Sequence, residues 1–166
     1  MFIAEVNNGV RIRGSFLNLM SNWIENYRDS SLDKFALTCS MPQNNHDDVT
    51  RCITFCVDRK VNFFWLDFSD PTWIENDNIN REAKFDLPMN VYDRKIVRSL
   101  KLFSCNFVMP EFKNFKWLRQ LSLGWIRLSY STLKALIENC ELLASLSLKN
   151  CWNTEAIEIN GPNLQL

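Results

Sequence analysis

Two kinds of apolar pattern alternate along the chain. In one, apolar and polar residues take turns over a few positions, most clearly at Leu100 and Leu102, at Leu121 and Leu123, and at Leu146 and Leu148. Each pair follows, by three positions, another apolar residue: Val97, Leu118 and Leu143. Successive side chains of a strand point to opposite faces, so each pair marks the buried face of a short strand. Weaker copies stand upstream at Val61, Phe64 and Leu66 and at Leu32, Phe35 and Leu37, and Leu164 and Leu166 predict one more strand at the end. The second pattern has the three-and-four spacing of a helix face. It places helices on Val49, Cys52, Ile53, Cys56 and Val57, capped by Asp47 or Asp48, and on Leu133, Leu136, Ile137 and Cys140, capped by Ser129 or Ser131. A third stripe, Phe16, Leu19, Met20, Trp23, Ile24 and Tyr27, precedes the first strand.

The strand segments are copies of one unit. Val97, Leu100, Leu102, Cys105 and Phe107 fill the template L-x-x-L-x-L-x-x-C-x-L in full. Leu118, Leu121, Leu123 and Leu128 repeat it with Ile126 in the cysteine slot, and Leu143, Leu146, Leu148 and Cys151 repeat it again. The copies start 21 and 25 positions apart, within the roughly 20–29 of a leucine-rich repeat. Val61 and Val97 are 36 positions apart, so that repeat carries an insertion, placed by composition at the polar stretch 70–84. One such unit cannot bury its leucine face alone, and stacking buries each face against the next. The predicted fold is therefore α/β: a leucine-rich-repeat solenoid with a curved parallel β-sheet and helices on its convex side. Residues 1–30 are expected to form a helical cap over the first strand, and residues 31–166 an array of five to six repeats, with an insertion near 70–90 and a truncated C-terminal end.

Residues between the core leucines then face outward from the concave sheet. They are Phe63, Trp65 and Asp67, then Ser99, Lys101 and Phe103, then Gln120 and Ser122, and last Ser145, Ser147 and Lys149. Unless a loop or the insertion covers them, Phe63, Trp65 and Phe103 are the exposed anchors for a protein partner, because buried aromatics dominate interface energetics.

Composition narrows the choice of partner. The 19 basic and 19 acidic residues cancel, which leaves no electrostatic footprint for nucleic acid or for a membrane surface. Glu5, Asn7 and Asn8 break up the first apolar stretch, so no signal peptide is read there. No uninterrupted apolar run reaches the roughly 18 residues of a membrane span. The expected location is cytoplasmic or nuclear, with the six cysteines reduced. Cys52 and Cys56 lie one helical turn apart, but a closed zinc site needs about four ligands, and the other cysteines have packing roles. His46 beside Asp47 and Asp48 reads as a loop histidine next to a helix cap. Only four glycines occur, none clustered, and no nucleophile or paired-carboxylate pattern appears. No catalytic residue, metal or cofactor is expected, and the chain reads as a non-enzyme.

Several phrases in fixed order resemble the repeat region of plant F-box/LRR proteins. They are Ser31-Leu32-Asp33-Lys34-Phe35, then Val49–Leu66, then Phe85-Asp86-Leu87-Pro88 leading to a strand that ends at Cys105. Phe112–Leu123, Leu133–Cys151 and Ile157–Leu166 complete the series, so the likeness covers about residues 15–166. In that family the repeats hold a substrate for ubiquitin transfer, while an F-box grips a Skp-type adaptor. The resemblance thus implies a substrate-recognition module of an SCF-type ubiquitin ligase, with an unidentified protein on the concave face. Two departures stand out. Cys52 occupies the place of the family's usual helix tryptophan, and there is no room before residue 15 for an F-box, so adaptor binding is expected only of a longer form. A stand-alone or decoy repeat protein, and the repeat portion of a plant immune receptor, are the alternatives.

Overall fold

The computed structural model describes residues 2–6, 10–74, 85–92, 96–106 and 115–152, with side chains described from residue 18 onward. Among these residues six strands form one sheet: β1 (Phe2–Val6), β2 (Lys34–Cys39), β3 (Phe63–Asp67), β4 (Ser99–Phe103), β5 (Gln120–Gly124) and β6 (Ser145–Lys149). Their order in the sheet is their order in the chain, and every neighbouring pair is parallel. Among the described residues, three α-helices accompany them: α1 (Val10–Asn26), α2 (His46–Asp58) and α3 (Tyr130–Asn139).

Register follows the leucine pattern. Phe35, Phe64, Leu100, Leu121 and Leu146 form one cross-strand row, and Leu37, Leu66, Leu102, Leu123 and Leu148 form the next. From Phe35 to Leu123 all of these side chains are buried, while Leu146 and Leu148 pack partly buried against them. A one-residue slip anywhere would turn a whole strand's apolar set outward, which pins the register. The leading residues of the repeats, Leu32, Val61, Val97, Leu118 and Leu143, are buried in the same core.

The helices complete it. The apolar stripe of α2, Val49, Cys52, Ile53, Cys56 and Val57, is buried throughout, with Phe55 packed partly buried beside it, and Leu133, Leu136 and Ile137 of α3 are buried too. Ser129 caps α3, its hydroxyl accepting from the Thr132 N–H at 3.1 Å, as one of the two expected caps. The start of α2 differs from expectation. A 3-10 turn over Pro42–Asn45 runs directly into the helix, Asn45 holds the cap position without a side-chain bond, and Asp47 and Asp48 fall within the first turn. There they favour the helix as negative charges near the positive end of its dipole. Helix α1 buries Met20 and packs Trp23 and Ile24 against the core, with Tyr27 packed there just past its end, but Leu19 is left 60% exposed.

The N-terminal stretch also departs from a purely helical cap, since β1 extends the sheet beside β2 with Phe2 opposite Phe35. The insertion begins with a turn at Asp70, whose carboxylate accepts from the Thr72 N–H at 2.9 Å. The rest of the predicted inserted stretch, 75–84, and the strand predicted at Leu164 and Leu166 lie outside the described residues.

Each of the last three strands ends in the same turn. Ser104, Trp125 and Asn150 follow β4, β5 and β6 directly and all take a left-handed backbone, with φ of 56°, 52° and 50°. The next residue occupies the cysteine slot. Cys105 is fully buried and its thiol donates to the Phe103 carbonyl at 3.4 Å. The Cys151 thiol reaches the Lys149 carbonyl and, across the repeat boundary, the Leu123 carbonyl at 3.7 Å. A small, weakly polar side chain therefore satisfies backbone acceptors where the chain turns inward.

Candidate partner-binding face

On the side of the sheet away from the leucine rows, three further rows cross the strands. One contains Lys34, Phe63, Ser99, Gln120 and Ser145, the second Ala36, Trp65, Lys101, Ser122 and Ser147, and the third Thr38, Asp67, Phe103, Gly124 and Lys149. All eleven residues read from the sequence as outward-facing lie in these rows. Strand alternation gathers them from positions 63 to 149.

Their exposure is uneven. Trp65 is the open aromatic at 42%, between Phe64 and Leu66, which are 1% and 0% exposed. Phe63 is half-buried, with the Lys34 ammonium 4.9 Å from its ring centre. Gln120, Ser145 and Ser147 are exposed, while Asp67, Lys101, Ser122 and Lys149 are partly covered.

Two residues expected to be exposed are not. Phe103 is only 9% exposed and Ser99 only 5%. Phe103 lies on the bare backbone of its register partner Gly124, so close that a β-carbon there would come within 2.8 Å of the ring. The Lys101 ammonium sits 4.4 Å from the centre of the same ring. Ser99 is covered because the Trp65 indole N–H donates to its hydroxyl at 3.2 Å. Phe103 is thus part of the floor of the face rather than one of its anchors.

Polar pairing organises the middle of the face. Lys101 meets Asp67 on the adjacent strand at 3.0 Å, and Asp67 also accepts from the Ser69 hydroxyl and N–H. This partly buried pair leaves a neutral centre, with Trp65 the register partner of Lys101 on the adjacent strand. Lys34 and Gly124 belong to the face and were not singled out from the sequence. Lys34 carried the signal, because Leu32-Asp33-Lys34-Phe35 has the same phase as Val61-Asn62-Phe63-Phe64. Gly124 carried none by itself, since its role is set by the strand beside it.

The buried thiols are held protonated. Removal from water pushes the Cys140 thiol from 9.0 up to about 12, and burial likewise raises Cys56, Cys105 and Cys151. For Cys56 the thiol of Cys52, one turn away on α2, adds to the rise. Raised values keep these groups as poorly reactive thiols. The sign of the linkage follows. Below pH about 9 folded and unfolded chains both hold the Cys140 proton. Above it the unfolded thiol ionises first, so this group makes stability fall with rising pH until the folded thiol ionises near 12. Denaturant melts of the wild type and of Cys140→Ser between pH 8 and 10.5 should show the smaller loss in the variant, and equal losses would count against this cause.

Among the described residues, no group of three or more His, Cys, Asp or Glu side chains is arranged to hold a metal ion. His46 begins α2, with its ring 5.1 Å from that of Phe85 and its Nδ1 3.4 Å from the Asp47 carboxylate. No helix of the described residues is long and apolar enough to cross a membrane.

One strand per repeat, leucines inward and mixed polar and aromatic residues outward, in a parallel ladder that follows the chain: these define the leucine-rich-repeat class. The profile of the family described as FBD-associated F-box protein At5g56370, LRR repeats, matches residues 73–166. The chain belongs to this family of plant F-box/LRR repeats. Among its Arabidopsis thaliana relatives, the protein named "Putative F-box/LRR-repeat protein At1g56400" is 35% identical over 90% of this chain and 31% of its own length. A second of that description, At5g54820, is 31% identical over 89% of this chain and 31% of its own. F-box protein At3g62230 is 30% identical over 93% of this chain and 33% of its own. The chain therefore spans about a third of each of these relatives. No solved structure matches it significantly.

Proposed function

We propose that this chain is a protein-interaction module whose partner lies across the outward rows of the sheet, with Trp65 as the central anchor. The observation that carries the reading is the 42% exposure of Trp65 in the middle of a strand whose flanking residues are buried. A large ring held in the open on a regular ladder is costly to leave in water and well placed to be covered by a ligand. The finer reading follows from the names of the relatives, which are F-box proteins. The repeats hold a protein substrate for an SCF-type ubiquitin ligase, in the cytoplasm or nucleus, and a Skp-type adaptor is engaged by whatever form also carries an F-box. Binding rather than catalysis is the proposed role of the face.

Proximity labelling with the wild type and with Trp65→Ala tests this. Partners labelled by the wild type should be lost from the variant while its circular dichroism shows the fold retained, with only a small drop in melting from the lost bond to Ser99. Labelling of the same proteins by both would remove the face from the interaction. A ubiquitinated protein among those lost would support the ligase reading, and stable levels of all of them when the chain is depleted would count against it.

A further inference from the structure

A second feature lies at the edge of the same sheet, where the chain enters each strand. The ladder extends one residue beyond the strands there. Asn62 N–H donates to the Asp33 carbonyl, Arg98 to Asn62, Arg119 to Arg98 and Ala144 to Arg119, all at 2.8–3.0 Å. Arg98 and Arg119 are thereby held side by side on neighbouring strands, about 4.8 Å apart along the ladder. Both are exposed, and neither has an ion-pair partner among the described residues. Like charges placed directly opposite each other on adjacent strands repel. The carboxylate in this row, Asp33, is at its far end and accepts from the Asn62 amide at 3.1 Å.

An apolar group stands beside the pair. Phe115 and Leu118 are buried, and the Leu118 N–H closes a turn on the Phe115 carbonyl at 3.0 Å. That turn pushes Trp117 into solvent at 55% exposure, with Lys116 exposed next to it. The next repeat makes the same turn, Leu143 N–H to Cys140 carbonyl at 2.9 Å. Trp117 is thus matched there by Leu142 and, in the preceding repeat, by Ile96, both partly exposed. Lys116 is matched by Glu141, which has a contact of its own.

We infer that this rim, with the Arg98–Arg119 pair beside the exposed Trp117, takes an acidic segment of the partner protein that carries an apolar side chain among its carboxylates. The inference rests on the protein-binding reading above and adds the place and the chemistry of one contact. Two exposed arginines rooted on neighbouring strands can offer planar donor forks that fit carboxylates bidentately. The chain is neutral as a whole, so a local excess of positive charge among the described residues beside an apolar ring is an asymmetry that selects a partner by sign. The flanking apolar positions of consecutive repeats give the segment a direction, across the strands.

The probe is a fluorescein-labelled peptide of eight glutamates around a central leucine, titrated into the full chain at low ionic strength. The wild type should bind it, and added salt should weaken binding as exposed charges are screened. Arg98→Glu/Arg119→Glu should weaken it about tenfold or more and should gain affinity for the corresponding lysine peptide. Trp117→Ala should weaken it severalfold. Lys134→Glu, on α3 away from the rim, changes charge in the same sense and should have little effect. The inference is overturned if the wild type ignores the glutamate peptide, if the double variant binds it equally well, or if Lys134→Glu weakens it as much. Circular dichroism of each variant separates lost binding from lost fold. Peptide binding that ignores the arginines beside labelling that needs Trp65 sinks this inference alone. The converse result sinks the Trp65 reading alone.

Discussion

Phe64→Ala is expected to destabilise the chain by about 3–5 kcal/mol, whereas Phe63→Ala, one residue earlier, should cost under about 1 kcal/mol. Phe64 is 1% exposed, and its ring stacks on that of its register partner Phe35 with centres 5.7 Å apart. Truncation leaves a cavity between β2 and β4 that neighbouring side chains fill only partly, and the cavity adds to the lost transfer energy. Because a repeat touches only its neighbours, nothing farther along the array compensates. Domains have about 5–15 kcal/mol of stability in all, so this one change removes a large share. Phe63 points to the other face, half-covered with the Lys34 ammonium above it, and its loss opens no cavity. Urea unfolding followed by circular dichroism measures both. Similar costs for the two would mean that the faces of β3 have been assigned the wrong way round.

That contrast also marks what could be read from the sequence. A strand buried on one face and open on the other must alternate, so Leu32 to Leu148 gave away strand positions, register and the outward set together. The helices α2 and α3 were legible for the same reason at a different period. What escaped depended on partners remote in sequence. Ser99 and Phe103 occupy outward positions, yet Trp65 closes over one and the bare backbone at Gly124 seats the other. Neither fact is visible within a single repeat. The start of α2 was hidden by the 3-10 turn that precedes it, and β1, Phe-Ile-Ala-Glu-Val, lacks the leucine pair that marks the other repeats. On the face itself, alternation named residues that point outward, but only cross-strand neighbours decide which of them stay open to a partner.

Gly124→Ala tests the most specific of these cross-strand contacts and should destabilise the chain by about 1–3 kcal/mol, the usual range for overpacking a filled site. The opposing effect is smaller, since a lost glycine restricts the unfolded chain and returns only about 0.4–1 kcal/mol. Backbone strain plays no part, because no described glycine has a positive φ. The cost arises from the new β-carbon, which meets three atoms of the Phe103 ring at 2.8, 2.9 and 3.0 Å. The ring, itself covered by Lys101, has to lift. Lifting it should draw Lys101 away from Asp67, which it meets at 3.0 Å. In a Phe103→Ala background the same glycine change meets empty space and should be neutral or slightly stabilising. The double-mutant cycle should therefore return a coupling of about 1–3 kcal/mol. Equal costs in both backgrounds would show that Gly124 is required for a reason other than the seat it gives Phe103. The seat of Phe103 on the outward side of the sheet would then have to be assigned to Lys101 alone.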